Sequence, residues 1–126
     1  MLICPSIMVV DDEEELAILF GQLIESMGLI AITFTDPLLA FERFKNNKDK
    51  FSLVITDLRM PGVNGIQLAK RIRECNEHTK ILLITAYIAD QVLKDESFKE
   101  AQISQVIEKP IHLNELKRRI AQLLSA

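Results

Sequence analysis

Phe51-Ser-Leu-Val-Ile-Thr-Asp57-Leu-Arg-Met-Pro-Gly62 reads as an apolar, β-rich run that ends in a carboxylate and then breaks at a Pro-Gly turn. A charged residue at the end of a buried strand is expensive to place by packing alone, so Asp57 is a candidate for chemistry. The same grammar occurs earlier: Ile7-Met-Val-Val10 is a second apolar run, and it ends in Asp11-Asp12. Three acids are thereby expected to converge on one pocket.

Working outward, similar runs recur at residues 29–34 and 81–85 and, more weakly, at 104–108, with segments of helical period between them. In residues 14–27 the apolar Leu16, Phe20, Leu23, Ile24 and Met27 fall on one helical face, and Gly28 follows as a stop signal. Pro37 opens a helix over 38–45, and Asn64 with Gln67 three residues on forms a capping box for 65–75. Residues 90–99 are helix-like, and 113–124 carry Leu116, Ile120 and Leu123 on one face. Five strands alternating with five helices predict a parallel sheet buried on both faces, joined by right-handed crossovers. The expected fold is a doubly wound α/β domain of the flavodoxin-like (βα)5 kind with strand order 2-1-3-4-5. In that order strands one and three flank the reversal of winding, where such folds bind ligands.

The chain has 126 residues, 48% of them hydrophobic, which suits one domain with one core, residues 1–126. Neither linker nor repeat marks a second. Fifteen basic against 18 acidic residues give net −3, with no overall field for nucleic acid or anionic membrane. No run approaches the roughly 20 apolar residues of a membrane span, and Met1-Leu-Ile-Cys4 has no leader character, so a cytoplasmic protein is expected. Cys4 and Cys75 then read as reduced thiols. His78 and His112 lack partners at ligand spacing and read as surface residues. Lys117-Arg-Arg119 reads as a solvated helix face.

Each acid has an ordinary structural reading. Asp12 could be an N-cap with Glu15 at N3, and Asp57 a turn residue. Their joint pattern argues otherwise, because the fourth run ends in Thr85-Ala86 and the fifth in Lys109-Pro110, adding a hydroxyl and an ammonium at the same edge. Crowded carboxylates raise one another's pKa unless a cation relieves them, and hard oxygen ligands suit Mg²⁺. Three acids, one divalent ion and Lys109 sum to zero charge, a site able to receive a phosphoryl group.

These residues resemble the receiver domain of two-component response regulators over essentially the full length. The likeness rests on Val9-Val-Asp-Asp12, Ile55-Thr-Asp57-Leu-Arg-Met-Pro61 with Gly65, Thr85-Ala86 and Lys109-Pro110. The resemblance implies a phosphoryl-accepting domain charged by a histidine kinase or a histidine phosphotransfer protein, with Asp57 as acceptor. Asp11 and Asp12, with Asp57 and the backbone carbonyl of Arg59, would hold Mg²⁺. Lys109 and Thr85 would contact the phosphoryl oxygens. It also implies a switch in the surface of helix four, strand five and helix five, read by a downstream target or an attached output domain, and a homodimer through that surface. Ala86, Tyr87, Arg59 and the residue three before the lysine are the family's modulatory positions. That last residue is often aromatic, and here it is Val106. Self-dephosphorylation, rather than turnover, would end the signal.

Two other readings share parts of this pattern. A Mg²⁺-dependent phosphohydrolase of the haloacid-dehalogenase type would need an aspartate two residues after Asp57, where Arg59 stands. A receiver-like interaction module that is never phosphorylated would not need every acid, threonine and lysine position filled.

Overall fold

The computed structural model describes residues 5–88 and 91–125. Cys4 lies outside them, as does Asp90, the start of the expected fourth helix. The elements alternate as β1 (Ser6–Val10), α1 (Glu14–Ser26), β2 (Ile30–Phe34), α2 (Pro37–Asn46), β3 (Phe51–Asp57), α3 (Gly65–Cys75), β4 (Lys80–Thr85), α4 (Glu96–Ala101), β5 (Gln105–Glu108) and α5 (Leu113–Ser125). All strand pairs are parallel, in the order β2-β1-β3-β4-β5. The expected topology and its reversal between β1 and β3 are both present.

Alternation along each strand divides the core into two layers. Ile7, Val9, Leu53, Ile55, Leu82 and Ile84 point to α1 and α5, where Phe20, Ile24, Leu116 and Ile120 meet them. Met8, Val10, Val54 and Ile81 face the other way, onto Ala40 and Phe44 of α2 and Leu68 and Ile72 of α3. A smaller cluster of Leu58, Ile66 and Leu83, with Phe98 and Val106 against it, continues that layer toward α4. Burial on both faces holds for β1 and β4 but not for β2, an edge strand whose Ile30 is 47% exposed.

Local chemistry sets the ends of the helices. Asn64 and Gln67 form the expected reciprocal capping box, and Gly28 takes the left-handed conformation after α1, with φ of 80°. Two expectations change. Asp12 is not the N-cap of α1: Glu13 occupies that position without a side-chain cap bond, and it is Asp11 whose Oδ1 accepts from the Glu13 amide at 2.9 Å. The single helix expected over 90–99 is a 3₁₀ turn (Gln91–Lys94) followed by α4, because Asp95 accepts from the Glu96 amide and restarts the helix there.

Candidate functional site

The carboxyl ends of the central strands bring the predicted acids together. One carboxylate oxygen from each of Asp11, Asp12 and Asp57 lies within 4.8 Å of the others. Asp11 and Asp57 are buried, at 1% and 6% exposure, while Asp12 is on the surface. Burial strongly disfavours the charged form, which is the main reason that Asp11 is pushed from 3.8 up to about 6. Its bond from the Glu13 amide and the Lys109 charge oppose the rise, whereas Asp57 and Asp12 add to it. Asp57 is raised for the same first cause, against the pull of Lys109.

Lys109 follows β5 and sends its Nζ to 3.4 Å from Asp57 Oδ1. Its backbone is fixed as well, since its amide donates to the Thr85 carbonyl at 2.7 Å. Thr85 is buried at the end of β4, and its Oγ1 donates to the Tyr87 carbonyl at 3.3 Å and accepts the Tyr87 amide at 3.2 Å. Thr85, Lys109 and the three acids therefore share one edge of the sheet, as the sequence predicts. Arg59 and Ala86 are exposed on the loops that follow Asp57 and Thr85, and Tyr87 is 63% exposed. Val106 stands apart from this edge, packed into the cluster around Leu83.

The turn after Asp57 is shaped by Gly65. Its amide donates to the Leu58 carbonyl at 2.8 Å, and a Cβ there would lie 2.2 Å from the Asp57 carbonyl oxygen and 2.8 Å from Leu83 Cδ1. Only glycine lets α3 start this close to the end of β3. Gly65 stands in the sequence motif without a role of its own, and Glu108, whose Oε2 accepts the Ile88 amide at 2.7 Å, is not among the residues the sequence points to. The available signal for Glu108 was its place at the carboxyl end of β5, two residues after Val106 and therefore on the same sheet face.

The donor set fits a hard divalent cation. Each of the three acids offers a carboxylate oxygen, and Asp11 Oδ2 is buried without a hydrogen-bond partner among the described residues, the state expected of an oxygen whose partner is an ion. His78 and His112 lie on the surface. Cys75 is half-buried and, among the described residues, in no disulfide. Among the described residues no helix is long and apolar enough to cross a membrane.

The response regulator receiver domain model matches residues 7–121. The response regulator receiver protein CpdR of Brucella abortus is 30% identical over 120 residues, covering 95% of this chain and 97% of that protein. The cyclic di-GMP phosphodiesterase response regulator RpfG of Xanthomonas campestris is 29% identical over 122 residues, but this chain spans only 32% of it. Among solved structures, the response regulator protein TrrA of Thermotoga maritima, in complex with Mg²⁺ and BeF, is 30% identical and superposes with a TM-score of 0.81, covering 95% of this chain and 99% of that one.

Proposed function

The chain belongs to the response regulator receiver domain family, and on that premise we propose that Asp57 is its phospho-acceptor, supplied by a histidine kinase or a histidine phosphotransfer protein. The observation that carries the reading is the pairing of a buried, poorly solvated Asp57 with Lys109 at 3.4 Å, beside two further acids. An Asp57 carboxylate oxygen bonds to phosphorus as the bond from phosphorus to the donor's imidazole nitrogen breaks, and the imidazole leaves as the neutral ring once a proton reaches it. Lys109 balances charge on the phosphoryl oxygens, and the Thr85 hydroxyl donates to one of them after leaving Tyr87.

Asp11, Asp12 and Asp57, with the Arg59 carbonyl, would hold Mg²⁺. When bound, the ion neutralises the crowded acids and the incoming phosphoryl oxygens. The protein acts as a stoichiometric acceptor that loses its phosphoryl group to water, not as a turnover enzyme. We read residues 1–126 as one receiver domain working in the cytoplasm, with α4, β5 and α5 as the surface that a downstream target, an output domain or a second copy reads. The test is to charge the protein with a small phosphodonor, reduce the acyl phosphate with borohydride and map the homoserine produced. The expected site is Asp57. Reduction at another carboxylate, or at none, overturns the assignment.

A further inference from the structure

One side chain beside Lys109 has no part in the chemistry above. Thr85 and Glu108 are register partners across β4 and β5, as are Leu83 and Val106, so all four project from the same face of the sheet. Glu108 Oε2 accepts the Ile88 amide at 2.7 Å, and the Lys109 amide donates to the Thr85 carbonyl at 2.7 Å. Residues 85–88 are thus tied at both ends to two consecutive residues of one strand end, the second of which pairs with Asp57. Between the ties lie the Thr85 contacts with Tyr87, which the hydroxyl must give up to reach a phosphoryl oxygen. At position 106 there is no ring to move with Thr85, only a valine packed among apolar neighbours.

We propose that Glu108 is a positioning residue whose carboxylate latches the loop after Thr85 in its resting arrangement through the Ile88 amide. Coupling between the acceptor site and residues 86–88 then runs through this tie, where an aromatic residue at position 106 is absent. The proposal rests on Asp57 being the acceptor, and the latch itself is an equilibrium property of the uncharged protein. A charge-assisted bond to a surface amide holds that amide closed by a factor of roughly five to ten.

The test compares wild type, Glu108→Ala and Glu108→Gln by amide exchange at Ile88 and by the rate of phosphorylation from acetyl phosphate. In Glu108→Ala the Ile88 amide should exchange about fivefold faster, and phosphorylation should speed up several-fold because the loop is released. Glu108→Gln removes the charge but keeps an acceptor oxygen, and should fall between wild type and the alanine variant in both. Unchanged exchange in Glu108→Ala, slower phosphorylation in it, or a glutamine variant that behaves like alanine overturns the latch. If none of the three proteins takes up a phosphoryl group, the acceptor reading fails, and the exchange comparison alone decides the latch.

Discussion

Lys109 Nζ lies 3.4 Å from Asp57 Oδ1, with the carboxylate side chain 7% exposed and the lysine 26% exposed. A largely buried carboxylate is thus paired with the Lys109 ammonium, and breaking such a pair costs more than the pair itself contributes, since the charge left behind is unsolvated. Lys109→Met should lower stability at pH 7 by about 1–3 kcal/mol. Asp57 should rise still further, so the loss should shrink as the pH falls and the carboxyl takes a proton. Denaturant unfolding of both proteins at pH 5 and pH 7 in EDTA checks this. An equal loss at both values would mean that packing of the lysine stem, not its charge, is what matters.

Asp11 carries the complementary pH signature. Its folded pKa of about 6 lies above the ordinary 3.8, so the folded chain holds that proton more tightly than the unfolded chain. Without metal, stability should therefore fall as the pH rises from about 4 to about 6, by up to about 3 kcal/mol from this group. Asp57, also raised, acts in the same direction. Asp11→Asn should flatten that slope and make the apo protein more stable at pH 7, while shrinking the rise in melting temperature that Mg²⁺ gives. An Asn variant with the wild-type slope and the wild-type Mg²⁺ shift would remove Asp11 from the site.

Gly65 and Gly28 are glycines for different reasons, and their alanine variants should separate. A Cβ at Gly65 meets the Asp57 carbonyl oxygen at 2.2 Å, so Gly65→Ala must displace the end of β3. It should cost more than about 2 kcal/mol and also suppress phosphorylation. Gly28 has open space around it but a φ of 80°, so Gly28→Ala should cost roughly 1 kcal/mol and leave phosphorylation alone. Melting curves and phosphorylation rates of the pair test this, and a Gly65→Ala protein with a normal rate would contradict it.

The parts of this molecule that were legible in its sequence are those where one physical signal dominates. β1, β3 and β4 are continuous apolar runs because they are buried between two helical layers, and Asp11, Asp57 and Thr85 stand out as polar residues at their ends. The Asn64–Gln67 capping box is equally local and was readable as such. Misreadings arose where two local signals competed. Asp12 has the right spacing from Glu15 for a cap, but Asp11 takes the Glu13 amide and the helix begins later. The helix-like reading of 90–99 as one segment overlooked the cap at Asp95 that splits it. For Glu108 only its place at a strand end was legible, because its partner is a backbone amide 20 residues away, a contact that exists only once β4 and β5 are paired.

Arg59 and Tyr87 follow Asp57 and Thr85 by two residues each, on the loops that border the acceptor edge. Their bulk is expected to slow the approach of water to the phosphorylated protein and so prolong its lifetime. Arg59→Ala combined with Tyr87→Ala should lose its phosphoryl group faster, and a tenfold change would correspond to about 1.4 kcal/mol in the barrier. The decay of intact phosphoprotein after removal of the phosphodonor measures this. A double variant that decays at the wild-type rate or more slowly would show that neither side chain shields the phosphorus.

One carboxylate, Asp57, with a divalent cation beside it, is expected to receive the phosphoryl group. Intact mass after incubation with acetyl phosphate tests it most directly, using wild type with Mg²⁺, wild type with EDTA, and Asp57→Asn with Mg²⁺. A single phosphoryl adduct is expected in the first sample and none in the other two. An adduct that persists in Asp57→Asn, or that forms equally well in EDTA, would contradict it.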